Sequence, residues 1–153
     1  MKIGFTCGAF DLLHAGHHIF LRDCKTRCDK LIVGLHTDPT IDRPNTKNRP
    51  IQTIYERYTQ LINSKWVDEV IPYDTEADLY NIIATTVMDI RFLGEDYRNK
   101  KVTAKELCDE LGIKIMYVDR KHNYSSSELR KRLSNDSIAI EPLVFIPTKS
   151  SLP

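Results

Sequence analysis

Short apolar runs alternate along this chain with longer stretches whose apolar residues recur every three or four positions. Residues 3–7 form a compact apolar run closed by Gly8, which reads as a buried strand. A helix is predicted from Gly16 or His17 to about Cys28, with Ile19, Phe20 and Leu21 supplying its apolar positions. Further strands are predicted at 31–35, at 69–71 with Pro72 as the stop, at 91–94 and at 113–118. Helices are predicted at 55–65, 77–88, 103–111 (ended by Gly112) and 126–133, the last capped by Ser125 or Ser126. Residues 38–50 carry three prolines among polar residues and read as a loop.

Near-continuous apolar strands separated by helices call for a parallel sheet covered on both faces. The expected fold is α/β, a Rossmann-like doubly wound five-stranded sheet in a single domain, with ligands beyond the carboxyl ends of the strands. Residues 1–133 make up this domain; 134–153 break the pattern and form an extension whose role the sequence leaves open.

Composition narrows the classes. With 153 residues there is room for one domain, and 41% hydrophobic residues suffice for its core. The net charge of +1, without a basic stripe, argues against a nucleic-acid-binding surface. No run of 18 apolar residues exists, so no membrane span is expected, and the first residues do not resemble a signal peptide. The expected setting is cytoplasmic, with Cys7, Cys24, Cys28 and Cys108 as reduced thiols. Cys24 and Cys28 share a helix face, but no second pair completes a zinc site, so they read as small apolar residues.

The chemistry gathers in two stretches that open on one sheet edge. Cys7-Gly8-Ala9-Phe10-Asp11 leads into His14-Ala15-Gly16-His17, where the first strand enters the first helix. Helix N-termini attract phosphate, and imidazoles there donate to phosphate oxygens and stabilise the charge of phosphoryl transfer. Gly16 lets backbone approach ligand closely. The second stretch, Arg120-Lys121-His122-Asn123-Tyr124-Ser125-Ser126-Ser127, pairs cations with hydroxyls and a helix N-terminus. Arg43, Lys47 and Arg49 lie between prolines and read as a lid over an anionic substrate. Gly94-Glu95-Asp96 follows the fourth strand, where it would contact a base edge or ribose.

Together, the His-x-Gly-His run and the Arg-(x)₄-Ser-Ser-Ser stretch resemble those of the cytidylyltransferase-like nucleotidyltransferases. Within that family, Gly94-Glu95-Asp96-Tyr97 and the 66–72 stretch are most similar to the small glycerol-3-phosphate cytidylyltransferases. The resemblance implies transfer of a nucleoside monophosphate from a triphosphate to a phosphorylated alcohol, with release of pyrophosphate. It implies that His14, His17 and Arg120 are catalytic, that Ser125 and Ser126 hold the triphosphate, and that Asp11 sits near a Mg²⁺ carried by it. Lys47, Arg49, Arg57 and Lys65 fall to acceptor or phosphate binding, and a homodimer is implied. The leading expectation is CTP with glycerol 3-phosphate. Two rivals stand beside it: ATP with a sugar phosphate, suggested by the 47–50 loop, and a nucleotide-binding module without catalysis.

Overall fold

A computed structural model describes residues 1–134, so the extension expected at 134–153 lies, from residue 135 on, outside the described residues. All five predicted strands form, and all are parallel. They are β1 (Ile3–Gly8), β2 (Lys30–His36), β3 (Glu69–Tyr73), β4 (Ile90–Gly94) and β5 (Lys114–Val118), in the order β3-β2-β1-β4-β5. The helices are α1 (Ala15–Lys25), α2 (Ile54–Ile62), α3 (Glu76–Thr85), α4 (Lys105–Glu110) and α5 (Ser126–Ser134). The fold is the Rossmann-like doubly wound sheet that the alternation predicts.

The strands are apolar because both faces are covered. Leu31, Val33 and Leu35 of β2 pack with Leu21 and Cys24 of α1 and Leu61 of α2. Ile32, between them, joins Phe5, Leu79 and Ile83 of α3 and Cys108 of α4 in the other layer. Each such aliphatic side chain contributes about 1.5–3 kcal/mol by leaving water. The chain runs outward from β1 through β2 to β3, then returns to lay β4 against the other side of β1. Winding therefore reverses between β1 and β4, which leaves a crevice at their carboxyl ends.

Several boundaries shift by one to three residues, and two of the shifts have clear local reasons. Strand β3 continues through Pro72 to Tyr73, because β3 is an edge strand and the missing N–H falls on its unpaired side. Helix α1 begins at Ala15, with His14 as its N-cap. Among the described residues no helix is long and apolar enough to cross a membrane.

Candidate active site

Beyond Gly8 the chain takes an uncommon path: Phe10 and Leu12 have φ of 47° and 52°, in the left-handed region. Non-glycine residues stay there only when their surroundings hold them. The surroundings are specific. The Leu12 N–H donates to Gln52 Oε1 at 2.8 Å. The Asp11 carboxylate accepts from the backbone N–H groups of Ile51 (2.8 Å) and Gln52 (2.9 Å) and from the Arg130 guanidinium (2.7 Å). The Ser126 hydroxyl donates to the Asp11 carbonyl at 2.9 Å, which ties α5 to the same loop. Arg57 is buried beneath and donates to the carbonyls of Ala9, His36, Thr37 and Gln52.

The two histidines are locked by the helix they start. His14 Nδ1 accepts from the Gly16 N–H at 3.0 Å, and His17 Nδ1 accepts from the His14 N–H at 3.2 Å. This is a capping box with imidazoles in the places usually held by Ser or Thr and by Glu. An accepting Nδ1 is unprotonated, so in each neutral ring the proton sits on Nε2. The rings stack, centroids 3.9 Å apart, and both line the cleft. Burial pushes the His17 pKa down to about 3, with the neighbouring His14 adding to the effect. His14 is lowered too, by burial first and then by His122 and Arg120. The pair stands neutral at physiological pH, two N–H donors without a charge.

Opposite them stands the segment before α5. The Ser125 hydroxyl caps α5 by accepting from the Glu128 N–H at 3.1 Å. Arg120 lines the cleft and donates to the Tyr124 carbonyl at 2.9 Å. His122 lines it as well and crowds Gly16: a Cβ there would lie 2.8 Å from His122 Cε1 and 2.9 Å from His14 Cε1. Close approach of side chains, as well as of ligand, demands glycine at this position.

These groups share a cleft of about 500 Å³ over the β1–β4 switch. Of the predicted residues, it brings together Cys7, Gly8, Ala9, Phe10, Asp11, His14, Gly16, His17, Lys47, Gly94, Asp96, Arg120, Ser125 and Ser126. Others stand elsewhere. Arg57 does not line the cleft, because its guanidinium is occupied by the four carbonyls; Lys65 lies over the Trp66 ring at 4.4 Å. The Glu95 carboxylate turns outward to Arg98 in a two-bond pair, and neither Ser127 nor Arg49 forms part of the lining. Arg130 and His122 are site residues that sequence reasoning did not assign. Arg130 carried one signal: it lies four residues after Ser126 on α5, so the two share a helix face.

The Asp11 carboxylate is engaged by the protein itself. Both carboxylate oxygens already accept from N–H donors, and the side chain is 6% exposed. Among the described residues no group of three or more His, Cys, Asp or Glu side chains converges to hold an ion.

The cytidylyltransferase-like family profile matches residues 5–132, the span from β1 to the last turn of α5. The chain belongs to the cytidylyltransferase-like family of nucleotidyltransferases. The bifunctional protein HldE of Granulibacter bethesdensis is 34% identical over 134 residues, 88% of this chain and 27% of that one. HldE of Helicobacter hepaticus is 34% identical over 90% of this chain and 27% of its own. The chain thus spans about a quarter of the length of these curated relatives. Among solved structures, the lipopolysaccharide core biosynthesis protein of Thermoplasma volcanium superposes with a TM-score of 0.62 at 28% identity. That match covers 82% of this chain and 99% of the other. Pantothenate synthetase of Thermus thermophilus, 15% identical with a TM-score of 0.56, shares the fold over 86% of this chain and 64% of its own.

Proposed function

We propose that this chain transfers an adenylyl group from ATP to a sugar phosphate and releases pyrophosphate. The observation that carries the transfer chemistry is the neutral, stacked His14–His17 pair, fixed as Nε2–H donors at the mouth of the cleft. The acceptor phosphate oxygen forms a bond to the α-phosphorus, the bond from that phosphorus to the bridging oxygen breaks, and pyrophosphate leaves with the electron pair. No covalent bond to the protein is required, so the residues position groups and stabilise charge. His14 and His17 donate to oxygens around the α-phosphorus, where charge grows. Arg120 and the α5 N-terminus hold the outer phosphates. Mg²⁺ enters as part of the nucleotide substrate, because three N–H donors already hold the Asp11 carboxylate.

The choice of ATP and sugar phosphate over CTP and glycerol 3-phosphate rests on the relatives. Relatives about 28–34% identical that align along nearly the whole domain include HldE proteins and a lipopolysaccharide core biosynthesis protein. A saccharide core is assembled from activated sugars, and the Lys47-Asn48-Arg49-Pro50 loop resembles that of adenylyltransferases acting on sugar phosphates. The leading sequence expectation therefore gives way to its first rival.

A pyrophosphate-release screen crossing ATP, CTP, GTP and UTP with sugar phosphates and glycerol 3-phosphate tests the reading. Turnover is expected with ATP and a sugar phosphate. Turnover with CTP and glycerol 3-phosphate alone overturns the proposed substrates, and nucleotide-dependent stabilisation with no turnover on any pair overturns catalysis.

A further inference from the structure

Arg91 is the second residue of β4, beside Phe5 of β1, and is only 2% exposed. It is a buried cation that lacks an anion. One terminal nitrogen donates to the Thr103 carbonyl and, at 4.0 Å, to the Cys108 sulfur, and the Cys7 thiol is a further hydrogen-bond partner, none of them an anion. Its Nε is buried with no hydrogen-bond partner among the described residues, and none of their ion pairs includes it. An uncompensated buried guanidinium is strongly unfavourable, and so is an unmet buried donor. The side chain nonetheless forms part of the cleft wall.

The neighbours do not supply the missing charge. Cys7 lies beside Arg91, yet burial raises the thiol pKa and outweighs the pull of the guanidinium, so the sulfur stays protonated. Glu76, the acid on this wall, is engaged by Arg43 at 2.5 Å and by the Thr103 hydroxyl at 2.7 Å. Lys47 and Lys101 line the same cleft. The Lys47 pKa is lowered by burial first and then by Arg43 and Lys100, a crowding of like charges that an anion would relieve. Asp96 lines the cleft and is the remaining acidic neighbour of Lys47.

We propose that Arg91 anchors a subsite for the acceptor's phosphate monoester on the α3–α4 side of the sheet, with Lys47 as its second cation. The inference rests on the reading of the chain as a transferase to a phosphorylated acceptor, and deepens it by naming where that phosphate docks. Phe5, the lateral neighbour of Arg91, packs with α3 and α4, whereas α1, which carries the two imidazoles, packs on the opposite layer. Nucleotide and acceptor thus approach from opposite faces and meet over Gly8 at the end of β1. A guanidinium suits this task because it stays charged when buried and still has a terminal nitrogen to donate to a phosphate oxygen.

Titration calorimetry on the full chain, saturated with a non-hydrolysable analogue of whichever nucleotide raises its Tm, tests the subsite. The probes are inorganic phosphate and glucose 1-phosphate. Arg91→Met is expected to weaken both by at least about tenfold, while nucleotide affinity stays within about twofold; Arg91→Lys, which keeps the charge but not the guanidinium, is expected to recover part of the loss. Phosphate affinity unchanged in Arg91→Met overturns the proposal, as does an equal loss of nucleotide and phosphate, which marks a purely structural arginine. Should Arg91→Met fail to fold, Lys47→Ala reads the same wall, and unchanged phosphate affinity there also overturns it. Inorganic phosphate is indifferent to base and sugar. If no sugar phosphate supports turnover while phosphate binding still needs Arg91, the substrate reading falls and the subsite stands.

Discussion

His17 shows how one side chain links folding to chemistry. Its Nδ1 satisfies the backbone N–H of His14, so the ring must stay neutral for the helix start to hold. With the folded pKa near 3 and an ordinary histidine value of 6.5, the unfolded chain binds more protons between those limits. Stability therefore rises with pH through that window and is lost as pH falls below about 6.5, by up to about 1.4 kcal/mol per unit from this one residue. Urea unfolding at a series of pH values is expected to show the slope in the wild type and a shallower one in His17→Gln. Because both imidazoles are depressed, kcat/KM, which reports the free enzyme, is expected to keep its plateau down to pH 6.5 and to fall only in more acid solution. Replacement of His14 by Ala removes a donor from the developing charge and is expected to lower kcat by about 10²–10³-fold, and, because the same ring caps α1, to cost about 1 kcal/mol of stability as well. A smaller change, Gly16→Ala, forces the His14 and His122 rings apart and is expected to lower kcat without loss of secondary structure by circular dichroism.

At the scale of elements, aspartates fasten the edge of the sheet remote from the cleft. Asp29 accepts from the Lys2 N–H at 2.6 Å, Asp89 from the Ile3 N–H at 2.7 Å and Asp68 from the Leu31 N–H at 2.7 Å. Each closes the entry of a strand whose first donors have no partner within the sheet. Asp68 also pairs with Lys25 of α1 at 2.6 Å. Asp68→Ala is expected to cost about 1–2 kcal/mol in urea unfolding and to leave nucleotide affinity unchanged, because the cleft lies at the opposite edge. The contrast is Asp11→Asn, at the cleft itself. It leaves Arg130 without its anion and loosens the tie between α5 and the 9–13 loop, so nucleotide affinity and stability are expected to fall together, the latter by about 3 kcal/mol. The strands were legible because burial on both faces demands an unbroken apolar run. The start of α1 was not, because a histidine in a capping box has no propensity signature; its role depends on a hydrogen bond seen only once the turn is built.

At the scale of the molecule, the site is assembled from parts far apart in the chain: the β1–α1 turn, the loop before α2 and the start of α5. α5 buries no residue of its own, so its hold on the domain runs through the Ser126 and Arg130 bonds to Asp11. A triphosphate spanning His14 and Arg120 should tighten that hold. At about 100 times its dissociation constant, the nucleotide is expected to add about 2.7 kcal/mol to stability and to slow amide exchange in α5 and residues 9–14 more than elsewhere. Uniform slowing across the sheet would indicate binding away from this junction.

The order of elements, the parallel sheet, the family and the two chemical stretches at its carboxyl edge were already determined by the sequence, because apolar periodicity and a short motif are local properties. The tasks of individual charges were decided only by the tertiary structure. Arg57 resembled a phosphate ligand and is a clamp on four carbonyls; Asp11 resembled a metal ligand and holds backbone and Arg130. Arg91 stood in plain view as a charge inside an apolar strand, yet its lack of an anion emerged only with its neighbours in place. What a charged side chain does depends on which partners reach it first, and those partners arrive from segments tens of residues away.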